Sequence, residues 1–227
     1  MNTVKWTKGL GLALGLVLGA VVGQAWADPN TSNDKDSLTI TITPNVDLGV
    51  DISTATAEFG GAGAGVLVKT LALGSTEYLT ASAGVTILGN FSNQEVELVA
   101  AGLDSWGVDT DEVDDAADKV QVYALFALAK ASRPVEGEFG QGGDARHQVT
   151  GTAKVAGETL AGVENDDLTG NKFEIANADM TNGTNMDGLT VGLTKQLWLR
   201  LDAPGATTSD ENQRIQVTLT AVNGRLN

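Results

Sequence analysis

Cysteine is absent from the 227 residues, histidine occurs once, proline four times, and tryptophan and tyrosine only four times and twice. Without cysteine there is no disulfide framework, no thiolate zinc site, no cysteine nucleophile and no lipid-modified N-terminal cysteine. A single histidine excludes a multi-histidine metal cage. Basic residues are also scarce: 14 Lys and Arg stand against 29 Asp and Glu, a formal net charge of -15. Nucleic acid is therefore not an expected partner, because its phosphates need Lys and Arg to displace their counterions. The apolar share, 42%, is enough for a packed core, so the chain as a whole does not read as disordered.

A long hydrophobic run is missing too. Gly9–Gly23 carries no charge, but its 15 residues fall short of the roughly 20 that span a bilayer. Lys5 and Lys8 precede it, and Ala25-Trp26-Ala27 follows with the small-x-small pattern of a cleavage site. Residues 1–27 therefore read as a signal peptide cut before Asp28, leaving a mature chain without a membrane span. No Leu-Pro-x-Thr-Gly sorting motif is present, which argues against covalent wall attachment by that route. The leader removes two basic residues and no acids, so the mature chain holds 12 basic against 29 acidic side chains. That excess favours solubility and suits divalent cations as partners. Cysteine-free, Thr- and Gly-rich and acidic, the chain points to bacterial export, through the periplasm where one exists, to a secreted or cell-surface destination.

Residues 28–36 (DPNTSNDKD) have no periodicity and read as a flexible lead-in. From residue 37 the pattern changes. Leu38, Ile40 and Ile42 alternate with Thr39, Thr41 and Thr43, the period-two signature of a half-buried strand, and Pro44-Asn45 ends it. Ile215, Val217, Leu219 and Ala221 alternate with Arg214, Gln216, Thr218 and Thr220; Leu197, Leu199 and Leu201 alternate with Trp198 and Arg200. Further strands are expected near 66–73, 78–88, 94–101, 119–129, 146–155 and 189–195, with weaker ones near 47–54 and 172–177. Val120–Ala129 is apolar on both faces, as a central strand would be; a buried helix is the rival reading. The expected fold of 37–227 is a single all-β domain, an Ig-like β-sandwich of about 8–10 strands with Gly-rich and acidic loops. An outer-membrane barrel fits less well, because the aromatics are scattered singly rather than gathered into girdles.

The densest ionisable stretch is Asp104, Asp109, Asp111, Glu112, Asp114, Asp115 and Asp118. Asp109-x-Asp111 begins like an EF-hand, but Val113, Asp114 and Val120 occupy its fifth, sixth and twelfth positions, so it is not one. Two readings stay open. Asp109, Asp111, Glu112, Asp114 and Asp115 could ligate calcium irregularly, or Asp109 could cap a short helical turn with Glu112 at N3. Glu164, Asn165, Asp166 and Asp167, with Asp187, read as a solvated loop within a long excursion over Asn165–Gly188. Phe59–Gly65 is Gly-rich but lacks the Lys-Ser/Thr ending of a phosphate cradle. His147, in Arg146-His147-Gln148-Val149, reads as an exposed strand residue, and no Gly-x-Ser-x-Gly elbow accompanies it. Trp106 and Trp198 read as packing residues rather than sugar platforms.

Ser37–Pro44 leading into Asp47-Leu48-Gly49, together with Gln216–Ala221, resembles exported bacterial surface β-sandwich proteins: fimbrial-type, biofilm-matrix fibre and WxL-type subunits. The likeness covers the two ends of the mature chain. Trp198-Leu199-Arg200 departs from the Trp-x-Leu motif, and fimbrial cysteines are missing. The resemblance implies an Ig-like building block or adhesive element and carries over no functional residue. The expected function is thus a non-catalytic secreted structural or cell-surface protein that associates with itself or with other surface proteins. Leu38–Thr43 is either a strand donated to another chain or the first strand of its own sheet. The alternative is a calcium- or ligand-binding extracellular module. No catalytic residue is assigned, and calcium is the one cofactor considered.

Overall fold

A computed structural model describes residues 45–59, 64, 65, 67, 70–110, 116–139, 145–157, 172–175, 186 and 188–224. The leader, the lead-in and the strand expected at Leu38–Thr43 lie outside the described residues. What is described is all-β: two antiparallel sheets around one core, with a single 3-10 turn at Glu136–Phe139.

The first sheet is organised around β9 (Thr194–Asp202). On one side lie β3 (Thr76–Ala81) and β4 (Ala83–Gly89), end to end with a break at Ser82. β4 meets β9 from Ala83↔Leu197 to Thr86↔Thr194, and β3 meets it from Thr76↔Asp202 to Tyr78↔Arg200. Beyond them β1 (Leu48–Ser53) pairs with β4 and the short β2 (Glu58–Phe59) with β3, where a register shift between Glu58 and Phe59 bends the sheet. On the other side of β9 runs β7 (Lys119–Ala127), paired from Gln121↔Asp202 to Ala127↔Gln196. The second sheet places β5 (Gln94–Gly102) between β10 (Ile215–Asn223) and the two-residue β8 (Lys154–Val155).

β7 is a strand, not the rival helix, and every residue from Val120 to Ala127 is buried. A strand covered on both faces keeps its backbone groups only if both edges are bonded. One edge is taken by β9. The other is completed by three pieces of chain: β6 (Gly107–Val108, parallel), residues 147–149 and residues 173–175. Asp109 N donates to Val120 O (2.8 Å), Ala124 N to His147 O (2.8 Å), Val149 N to Val122 O (2.7 Å) and Phe126 N to Phe173 O (2.7 Å).

This completion corrects several sequence expectations. His147 is buried, not exposed, because it is laid against the most buried strand in the domain. The strand expected over 146–155 shrinks to a bridge at Gln148 and to β8, since Thr150 Oγ1 accepts the Thr152 N–H (3.2 Å) and turns the chain. Near 189–195, Leu189 only bridges Gln94; a turn at Gly192 (φ 85°) intervenes and β9 starts at Thr194. Near 172–177, Glu174 only bridges Phe126. The described residues of 66–73 form no strand, and the chain turns at Gly74 (φ 67°).

Period two decides which side chains meet. Leu197 on β9 shares the inter-sheet core with Val85 and Ile87 of β4 and Val122, Ala124 and Phe126 of β7, facing Val96, Leu98 and Ala100 of β5. Trp198, Arg200 and Asp202 occupy the opposite face, where Arg200 Nε and Nη2 clasp Asp202 at 2.9 and 2.6 Å. Arg200 also lies 5.0 Å from the Tyr123 ring centroid, and Tyr123 Oη donates to Gln121 Oε1 (3.0 Å). Burial works against the Arg200 charge, but the hydrogen bonds and the negative charge of Asp202 outweigh it and raise its pKa. Phe139 of the 3-10 turn packs on Tyr78 at 5.8 Å, and Arg133 lies 4.4 Å from that ring. Both faces of the first sheet are therefore covered.

The Arg200–Asp202 side chains are only 5% and 10% exposed, so removing Asp202 takes the paired carboxylate from a buried guanidinium. Asp202→Ala should cost about 3–5 kcal/mol in urea unfolding, whereas a double replacement by apolar residues of similar size should be far milder. A single-variant loss within experimental error of zero would refute this account of the outer layer.

Candidate functional site

Where β1 and β10 diverge, the two sheets leave an apolar pocket of about 580 Å³. Leu197, Leu199 and Leu201 of β9 form its floor, and Ile215, Val217 and Leu219 of β10 form the facing wall. Both triplets arise from period-two alternation. Ile52, Leu79, Ala83 and Val120 complete the interior from β1, β3, β4 and β7. An engineered cavity of about 150 Å³ already admits benzene, so this space has room for several branched side chains. Leu199, Leu201, Ile215 and Val217 are only partly buried, so the pocket is open rather than a sealed void.

β10 is the edge strand of its sheet. It pairs with β5 along its whole length, from Ile215↔Gly102 to Asn223↔Gln94, and among the described residues no strand pairs with its other edge. Gln216, Thr218 and Thr220 are exposed while Leu219 is buried, so the expected alternation of β10 is met.

The mouth is polar and tied down. Gly102 begins the bend that brings Trp106 to the pocket; a Cβ there would stand 1.7 Å from the Trp106 carbonyl oxygen, so only glycine fits. Gln213 Oε1 accepts from Ser105 Oγ (3.0 Å) and from Trp106 N (2.9 Å). Arg214 binds Asp104 through Nε (3.0 Å) and Nη2 (2.8 Å), and this hydrogen bonding holds the Asp104 carboxyl below its usual pKa. A second chain of bonds supports the indole. Trp106 Nε1 donates to Thr207 Oγ1 (2.9 Å), which donates to Asp118 Oδ1 (2.7 Å). Thr208 adds its N–H (2.8 Å) and hydroxyl (2.5 Å) to the same carboxylate, and these bonds lower the Asp118 pKa. Asp118 sits at φ 60°, a conformation that Asp and Asn tolerate best after glycine.

The acidic stretch read from the sequence is thus distributed rather than gathered where it is described. Asp104 and Asp118 serve as structural ties at the mouth. Asp109 is buried beside β7, and its Oδ1 accepts the Thr110 N–H at 2.7 Å. Asp111, Glu112, Asp114 and Asp115 lie outside the described residues, as do Glu164, Asn165, Asp166, Asp167 and Asp187. Among the described residues, no group of three or more His, Cys, Asp or Glu is placed to share a metal ion. Trp198 is buried on the outer face, as a packing residue should be. Lys195, also buried, has its pKa lowered by desolvation, partly offset by the charge of Glu174.

The chain was compared with protein-family models and with curated proteins, and it matches none of either.

Two carboxylates with depressed pKa values set a pH dependence. Their stabilisation is fully present above the unfolded-state pKa, about 3.9, and is lost as pH falls through the folded values. The melting temperature should therefore drop on acidification below about pH 4. Asp118→Asn, which keeps the backbone conformation, should lower it at neutral pH and flatten the acid limb. An acid limb identical in steepness to the unmodified protein would show that Asp118 is not among the groups responsible.

Proposed function

We propose that this is a non-catalytic structural or cell-surface subunit, exported by its leader, that associates with other chains by taking an extended apolar segment into the inter-sheet pocket. The observation that carries the reading is the pocket beside the edge of β10 that no strand pairs with among the described residues. An open strand edge offers backbone donors and acceptors to an incoming strand, and the adjoining apolar space offers burial to every second side chain of that strand.

The composition of the lining supports the same reading. Among the described residues lining the pocket, none is acidic and Arg214 alone is charged, in a chain with 29 Asp and Glu. An incoming apolar side chain would therefore meet no carboxylate among these lining residues. The polar groups at the mouth are engaged with one another, as in a rigid frame, rather than converging on a common point.

Sedimentation velocity tests the reading. The protein should show a concentration-dependent boundary heavier than the monomer, whose full-length mass is 23.4 kDa. Val217→Glu, placing a charge on the pocket wall, should abolish that boundary while leaving the far-UV circular dichroism unchanged. A monomer at every concentration up to the solubility limit would overturn the proposal.

A further inference from the structure

Resting on that reading, we infer that the associating segment is β10 of a second copy of this chain. Two copies pair their β10 strands antiparallel about a two-fold axis at Val217, joining their second sheets into one.

Edge strands are commonly blunted by charge, proline, bulges or shortness, because an open ladder invites another chain. Among the described residues every other edge carries such a device. β1 presents exposed Asp51, and β2 is two residues long with a register shift. β6 and β8 are also two residues long, and β8 carries Lys154. β10 has none of these. Its nine residues hold no charge and no proline, and its register with β5 runs unbroken from Ile215 to Asn223. In a chain of net charge -15, this is a strand edge along which two copies can meet without setting carboxylates against each other.

The backbone is arranged for such pairing. In an antiparallel ladder, successive residues turn their N–H and C=O groups alternately to the two neighbouring strands. At the ends of the β10–β5 ladder, Leu103 N donates to Arg214 O (2.9 Å) and Gly224 N to Asn93 O (3.0 Å). The even-numbered residues of β10 therefore face β5. Ile215, Val217 and Leu219 turn theirs to the other edge, which no strand occupies among the described residues.

The side chains favour a copy of the same strand. Ile215-Gln216-Val217-Thr218-Leu219 alternates apolar and polar identically in both directions, so an antiparallel copy centred on Val217 matches it. Ile215 then lies opposite Leu219 of the second copy, Val217 opposite Val217, and Gln216 opposite Thr218. Each odd-numbered pair exchanges two backbone hydrogen bonds. The apolar members stay on the inner face, so the pocket wall of one copy continues into that of the other. Moving the axis one residue toward the tail would set Ile215 against the smaller Ala221, and moving it toward the head would set Leu219 against Gln213. Charge agrees at both ends of the contact. Arg214, whose side chain is 70% exposed, falls opposite Thr220 of the second copy, and Thr220 pairs with Glu97 on β5. A cation thus enters the row of a carboxylate, twice by symmetry.

Because the native chain has no cysteine, engineered thiols report the contact directly. Gln216 and Thr218 both lie exposed on the outer face, away from the pocket. In the inferred register, Gln216→Cys on one copy and Thr218→Cys on the other stand about 4.5 Å apart at Cα, within disulfide reach. Two copies of the same variant hold their cysteines roughly 8 Å apart, beyond it. The two variants, mixed and oxidised, should give a disulfide-linked dimer that collapses on reduction, and each variant alone should not. A single variant that cross-links by itself, or a mixture that does not while the unmodified protein associates, would overturn the inference. Sedimentation velocity supplies the second measurement. A two-fold contact closes on itself, so the heavier boundary should stop at the dimer. Growth past the dimer would refute this partner and leave the proposed function standing; an unmodified protein that is always monomeric would refute both.

Discussion

The structure depends on one constraint: a strand buried on both faces must have every backbone donor and acceptor bonded by other chain. β7 is that strand. β9 meets one of its edges in a continuous ladder, but no single strand meets the other. Residues 107–109, 147–149 and 173–175, from three separate parts of the chain, each supply a short length of it. The chain just after residues 147–149 serves the second sheet, where Ala100 N donates to Thr150 O and Ala156 N to Val96 O. The two sheets are thus joined at this side by backbone as well as by packing, whereas no backbone pairing joins β1 to β10 among the described residues.

How much of this could be read in advance follows from what a periodic pattern can encode. β9 and β10 declare themselves because alternation persists for nine residues in each. β7 declares itself by apolar residues on both faces, and the structure supplies the cover that this implies. The patches along its outer edge do not, because a bridge of one to three residues has no period to detect. His147 looked exposed because Arg146 and Gln148 are polar; its burial is decided by β7, more than twenty residues earlier in the chain. The stretch 78–88 read as one strand because alternation runs toward Ser82 from both sides. Its division into β3 and β4 goes with different outer partners, β2 for β3 and β1 for β4, which no local pattern carries.

The candidate site was half legible for the same reason. Its walls, Leu197–Leu199–Leu201 and Ile215–Val217–Leu219, are visible as inward-facing residues. That the sheets separate there is a property of the two together. The acids show the converse. Seven carboxylates between Asp104 and Asp118 invite a metal-site reading because they are close in sequence. Yet the partners of the two at the ends are far along the chain, Arg214 for Asp104 and Thr207 and Thr208 for Asp118. Local density of charge says that compensation is needed; it does not say from where.

Those distant ties bear on the pocket itself. Asp104–Arg214 and Asp118–Thr207–Trp106 link the residues before β10 to the bends around β6. Without them, apolar walls facing each other across water would be expected to close, because burying that surface is favourable by about 25 cal/mol per Å². On the reading proposed above, the polar frame keeps this apolar surface open. An edge strand held open in this way suits a domain that is completed from outside, and on the reading proposed above the frame is what preserves the acceptor between folding and association.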